Sequence, residues 1–221
     1  MFKSVLVVED HESTSISVRK ILEELGIETV MYAYYCDDAL TKLRNALSRG
    51  EPYELMITDL SFEEDEWKQN IRDGGGLITA ARSIQPGLKV LVFSAEKKPA
   101  VIESLFDRQG INGYVSKARK DAEELKLAID KIYSNRHHKP GHLREIIRQK
   151  NSHQFSEYDI TIISLLSQGL RQKDIPGYLQ DKQIRPSGLS SIEKRLNLIK
   201  GSLGFSQNEQ LVAFCKDMGI I

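Results

Sequence analysis

Residues 55–59 read LMITD, and residues 60–76 continue LSFEEDEWKQNIRDGGG. The first four positions are apolar or β-branched, the composition of a strand buried on both faces. The fifth is a carboxylate, which such a strand can carry only at its end. Beyond it come Glu63, Glu64, Asp65, Glu66 and Asp73, the chain's single tryptophan, Trp67, and three glycines. Glu63–Glu66 fall in one consecutive run, without the alternating ligand spacing of a calcium loop. The segment therefore reads as a solvated insertion, with Trp67 available to fold back over the strand end or to meet a partner.

The strand pattern recurs on both sides. Short apolar runs occur at Val5–Val8, Thr29–Ala33, Lys89–Phe93 and Gly113–Val115. Between them lie helical stripes: Ile16, Ile21, Leu22 and Leu25; then Ala39, Leu40, Leu43 and Leu47. Leu77, Ile78, Ala81 and Ile84 follow, then Val101, Ile102, Leu105 and Phe106, and last Leu125, Leu127, Ala128, Ile129 and Ile132. Glycine or proline ends most of them. Five strands alternating with five helices over residues 1–135 predict a doubly wound α/β domain on a five-stranded parallel sheet. Sites in such sheets lie at the carboxyl ends of the strands.

What ends the strands is polar. The first ends on Glu9 and Asp10, the third on Asp59, the fourth on Ser94, and the fifth on Ser116 and Lys117. Three carboxylates on one edge repel one another and call for a divalent cation, for which Mg²⁺ or Mn²⁺ is suited by its preference for oxygen. A carboxylate beside such a cation and a lysine can accept a phosphoryl group, because both neutralise charge on the transferred oxygens. His11 reads as a solvent-facing turn residue, and the glycines at 74–76 lack the spacing and the following Lys-Ser/Thr of a phosphate-cradling loop.

Composition bounds the rest. Hydrophobic content is 40%, enough for packed cores, and no apolar run approaches the ~20 residues that span a bilayer. The amino terminus has no small-residue cleavage site, and Cys36 and Cys215 are too few and too distant to suggest a disulfide framework. A cytoplasmic protein without a membrane partner is expected. Lys+Arg and Asp+Glu both total 31, but unevenly. Residues 1–135 carry 18 basic against 23 acidic, residues 136–152 carry five against one, and residues 153–221 carry eight against seven. An acidic domain, a basic linker with helical character over Leu143–Lys150, and a small helical domain follow. A near-neutral terminal domain gives little general electrostatic support for nucleic-acid binding.

Residues 1–135 resemble the receiver domain of two-component response regulators, a flavodoxin-like fold. The resemblance rests on VLVVEDHE at the first strand, Asp59 after LMIT, VLVFSA with Ser94, and GYVSK with Lys117. It implies that Asp59 takes a phosphoryl group from a sensor histidine kinase, the domain assisting only its own phosphoryl transfer and slow dephosphorylation. It also implies that Asp10, Asp59 and the Ser61 carbonyl hold Mg²⁺, with Glu9 acting through water. Ser94 and Tyr114 would then be the switch pair, Ser94 moving toward the phosphoryl group as Tyr114 rotates inward. Two departures stand out: Ala118 occupies the place of the family's usual proline, and the loop after Asp59 is longer than the family's.

Residues 153–221 resemble the helix-turn-helix output domain of LuxR/NarL-type regulators, through LLSQGLRQKDI and SSIEKRLNLIKGSLGF. By position, Lys173 would touch phosphate, and Ser190, Ser191, Lys194 and Arg195 would face the major groove of double-stranded DNA, with Lys200 adding charge. Leu211, Val212 and Cys215 on the last helix are candidate contacts of a homodimer formed on phosphorylation. Departures are QDKQIRP at 180–186, where the family has a tight turn, Glu193 at a commonly basic position, and Pro176-Gly177 inside the second helix. A helical protein-interaction module that does not bind DNA is the alternative. A phosphomonoester phosphatase is disfavoured, since Ser61 stands where a second aspartate would be needed.

Overall fold

The structure, a computed structural model, describes residues 1–63, 66, 68–141, 143 and 153–221. It forms two compact units, one of Met1–Lys97 with Val101–Pro140 and a second gathering the remaining residues up to Ile221. The first unit thus takes in residues 136–140, which the sequence reading assigned to the linker. The helix expected over Leu143–Lys150 and the fold-back expected of Trp67 fall mostly or wholly outside the described residues.

The first unit is a parallel sheet ordered β2-β1-β3-β4-β5, with β1 Ser4–Val8, β2 Thr29–Ala33, β3 Leu55–Thr58, β4 Lys89–Ser94 and β5 Gly113–Ser116. Strands β3 and β5 are buried at every position, because helices cover both faces of the sheet. These are α1 Glu12–Glu24, α2 Cys36–Ser48, α3 Gly74–Ile84, α4 Pro99–Gln109 and α5 Asp121–Tyr133. One core packs Val5, Val7, Leu55, Ile57, Leu91 and Phe93 against α1 and α5. The α1 stripe is set differently from the sequence reading: Ser15, Val18, Ile21 and Leu22 face inward, and Ile16 is 56% exposed. A step of 100° per residue moves Ile16 off a face centred on Val18 and Leu22. Val101 and Leu127 are exposed for the same reason, whereas Leu47 lies on the inward face of α2 but in its last turn, next to the C-terminal Ser48.

Beyond α5 the chain returns to the sheet. His138 lies parallel to Gly113 in an isolated bridge, its N–H donating to Asn112 O at 3.1 Å and its carbonyl accepting from Tyr114 N at 3.0 Å. The outer edge of β5 is thereby partly paired.

The second unit packs α6 Glu157–Ser167, a 3₁₀ turn Gln172–Asp174, α7 Ile175–Asp181, α8 Leu189–Leu203 and α9 Asn208–Asp217. Pro176 sits in the first turn of α7, where a missing N–H costs nothing, so the helix forms despite it. The longer turn is anchored: Tyr158 Oη donates to Pro186 O at 2.8 Å, and Ile184 packs on the core. Helix α8 ends on Gly204 at φ 74°, a left-handed cap that favours glycine.

Candidate functional site

Strand register assembles the polar edge of the first unit. Val8 pairs with Thr58 and Thr58 with Val92, so Glu9 and Asp59 leave neighbouring strands at the same level. Ser94 pairs with Ser116, and Lys117 N donates to Ser94 O at 2.9 Å. Lys117 Nζ then bridges the carboxylates, 2.5 Å from Asp59 Oδ2 and 2.8 Å from Glu9 Oε2, and lies 5.6 Å from the centre of the Phe93 ring. Only one peptide bond among the described residues is cis, Arg185–Pro186; the ammonium reaches the site across a trans Lys117–Ala118 bond.

Glu9 is 3% and Asp59 5% exposed. Burial raises the Glu9 pKa, though Lys117 counteracts it. Burial also works against the Lys117 ammonium, but its bonds to Asp59 and Glu9 outweigh this and its pKa rises. Asp59 Oδ1 accepts from the N–H of Leu60 at 2.5 Å and of Ser61 at 3.4 Å. One Asp59 oxygen is thus turned by the backbone and the other faces the lysine.

Asp10 stands at the rim. Its Oδ1 lies 2.9 Å from His11 Nδ1, and its Oδ2 accepts from Glu63 N at 2.7 Å. The His11 pKa is raised, first by the hydrogen bond to Asp10. Ligand atoms of Glu9, Asp10 and His11 lie within 4.8 Å of one another. Lys117 ties Asp59 to Glu9, and Asp10 adjoins Glu9, so three carboxylates gather around one ammonium that bonds two of them. Such an oxygen-rich, net-negative donor set fits a hard divalent cation.

Tyr114 is fully buried, and its hydroxyl donates to Glu96 O at 2.6 Å. Glu96 N in turn donates to Ser94 Oγ at 3.4 Å. The two residues expected as a switch pair are therefore joined through Glu96, which the sequence reading did not single out. Burial pushes the Tyr114 phenol well above its ordinary pKa, so it stays a hydrogen-bond donor.

The insertion is closed at its neck by an antiparallel bridge between Ser61 and Asp73. Asp73 caps α3 by accepting from Gly76 N at 2.7 Å. Gly74 is required here: a Cβ on it would lie 2.0 Å from Asp59 O and 2.8 Å from Leu60 Cα, both backbone atoms. The returning arm is fixed by Asp37 in the first turn of α2, which accepts from Asn70 N at 2.7 Å, Asn70 Nδ2 at 3.0 Å and Ile71 N at 3.2 Å. Between the arms and the rim lies a cavity of 520 Å³ touching Asp10, His11, Tyr34, Phe62, Lys68 and Ile71.

In the second unit, Lys173, Ser190 and Lys194 are exposed, and Ser191 and Lys200 are half-buried. Glu193, Asn197 and Leu198 are exposed on α8 as well, Leu198 at 55%. Arg195 corrects the sequence reading. Its Nε and Nη2 both lie 2.6 Å from the Asp159 carboxylate, and Asp159 is fully buried at the start of α6 in a capping box with Ser156. Burial opposes ionisation of Asp159, but the Arg195 and Ser156 bonds prevail and its pKa is lowered. A fork committed in both prongs binds α8 to α6 rather than a base edge. Leu211 and Cys215 are corrected too. Both are fully buried in the core of this unit with Ile162, Leu196 and Ile199, and burial pushes the Cys215 thiol up to about 12. Exposing either to serve a dimer would forfeit about 2 kcal/mol of packing. Val212 is only partly buried.

Known proteins echo this layout. Residues 5–130 match the family model of the response regulator receiver domain. A Pseudomonas aeruginosa protein whose name assigns it to transcriptional regulation is 27% identical, over 94% of this chain and 99% of its own. The transcriptional regulatory protein RcsB of Escherichia coli strain K12 is 30% identical over 58% of this chain and 56% of its own. Among solved structures, that of two RcsB dimers bound to two parallel DNAs superimposes with a TM-score of 0.62 at 21% identity, covering 97% of this chain and 98% of that one. At that identity the likeness speaks for the fold.

Proposed function

Because the chain belongs to the response regulator receiver family, we propose that the first unit accepts a phosphoryl group on Asp59 from a sensor histidine kinase and that residues 153–221 bind double-stranded DNA to regulate transcription. The observation that carries the reading is the bridge of half-buried Lys117 between the buried carboxylates of Asp59 and Glu9. A carboxylate oxygen of Asp59 attacks phosphorus, the phosphorus–nitrogen bond of the phosphohistidine breaks, and the electron pair returns to the imidazole. The product is an acyl phosphate on Asp59. Lys117 offsets the negative charge brought in. Asp10, Asp59 and the Ser61 carbonyl, with Glu9 behind them, would hold Mg²⁺, which supplies further neutralisation of the phosphoryl oxygens when bound. Ser94 donates its hydroxyl to the new group, and the shift reaches Tyr114 through Glu96.

On the helical unit, Lys173 and Lys200 supply phosphate contacts, and Ser190, Ser191 and Lys194 face base edges. A dimer built through α9 has Val212 as its remaining candidate contact. The exposed Leu198 and Glu193 on α8 favour a second reading, a protein-binding face. A titration on random duplex DNA separates the two. Binding that weakens steeply with salt supports the DNA reading, and no binding at low salt overturns it.

A further inference from the structure

Both oxygens of Asp10 are already engaged, one by the His11 ring and one by the main-chain N–H of Glu63. Glu63 lies 53 positions away and belongs to the insertion. The insertion is itself fixed at two further points, the Ser61–Asp73 bridge and the clamp of Asp37 on Asn70 and Ile71. Its outgoing arm therefore has a defined place from which to hold Asp10, and its returning arm has a defined place on α2.

Carboxylates that ligate metals are commonly oriented by such outer hydrogen bonds, and each oxygen keeps a second lone pair for the ion. A side chain already fixed in its orientation loses less freedom when the ion arrives. We propose that the two described arms of the insertion, residues 62–63 and 68–72, are a working part of the cation site: His11 and the Glu63 N–H act as positioning groups for Asp10, and cation binding and the docking of these arms are coupled. This rests on the reading of Asp10 as a cation ligand.

Coupling is reciprocal: if the insertion raises cation affinity, the cation must stabilise the insertion's docked form by the same factor. Trp67, the one tryptophan, lies within the insertion sequence and makes that second half readable. The Glu63 side chain also approaches His11, at 3.7 Å, so substitutions must separate the side chain from the main-chain donor. Glu63→Ala keeps the N–H and Glu63→Pro removes it.

The test is titration of the full chain with Mg²⁺, and separately with Mn²⁺, by calorimetry and by tryptophan emission. Wild type and Glu63→Ala should bind alike. Glu63→Pro and His11→Ala should each bind about tenfold more weakly, the low end for loss of an outer hydrogen bond. Asp37→Ala, which frees the returning arm without touching Asp10, should weaken binding in the same direction. Emission should change with cation in wild type and not in Asp10→Asn. Thermal melts of each variant establish that it is folded. Equal affinity of folded Glu63→Pro, Asp37→Ala and wild type overturns the inference and leaves the insertion passive. No cation binding by wild type instead removes the reading of Asp10 on which the inference stands.

Discussion

The polar edge of the sheet and the outward face of α8 carry similar residue types under opposite rules. At the sheet edge each charged group is held: Lys117 between Asp59 and Glu9, Asp10 between His11 and Glu63 N. On α8, Ser190, Glu193, Lys194 and Asn197 stand in solvent. A site that must register the arrival of one phosphoryl group needs its charges balanced and fixed beforehand, so that the newcomer breaks a defined arrangement. A surface that reads a polymer needs its charges mobile and hydrated, because releasing counterions supplies much of the affinity. Arg195 lies on the border between the two rules, on α8 by sequence but fixed like a member of the sheet edge by buried Asp159.

The contrast can be broken at several points. The largest expected effect is at Asp59: Asp59→Asn should abolish phosphoryl incorporation from a histidine kinase on phosphate-affinity gels. Labelling at the wild-type level would remove the sheet edge from phosphotransfer. Next is Arg195→Ala, which removes the guanidinium from the buried Asp159 carboxylate and should cost the helical unit about 1–3 kcal/mol, the range for a buried acceptor deprived of its partner. Lys194→Ala, on the solvated face, should stay within about 0.5 kcal/mol in the same urea titration. Equal losses would erase the distinction between them.

Gly74→Ala places a methyl group against the backbone of Asp59 and Leu60. It should cost about 1–3 kcal/mol by overpacking, and should slow phosphorylation because Asp59 is displaced. Unchanged phosphorylation would mean that the strand end tolerates movement. A smaller effect is expected of pH. The Asp159 pKa lies below its ordinary 3.8 in the fold, so its contribution is present above that value and lost as pH falls through the folded value. Urea unfolding of the helical unit should show this loss on acidification, and Asp159→Asn should not. Smallest is the salt slope of DNA binding, which Lys173→Ala should reduce by about one if that lysine contacts phosphate.

These rules also explain what could be read from residues alone. Each of the five expected strands forms, and Glu9, Asp10, Asp59, Ser94 and Lys117 share one edge, because parallel register carries strand ends to one level whatever the loops do. Helix faces were harder. Leu211 and Cys215 lie four apart, as core and interface residues both do, and in a bundle this small the core claims such a pair first. Arg195 flanks buried Leu196, and the signal that it turns inward was the S-x-x-D of Ser156 and Asp159, a capping box whose carboxylate has a second face to satisfy. The clamp of Asp37 on Asn70 joins residues 33 positions apart. No local pattern announces such a pairing, so the insertion read as solvated although both its arms are anchored.

If charge placed on Asp59 governs the helical unit's hold on DNA, beryllofluoride must act on DNA binding through that residue. The direct measurement is a duplex-DNA titration at fixed salt of wild type and Asp59→Asn, each with Mg²⁺, with and without beryllofluoride as phosphoryl mimic. Beryllofluoride should change the DNA affinity of wild type and leave that of Asp59→Asn unmoved. Identical affinities in all four conditions, or an equal response from Asp59→Asn, would contradict it.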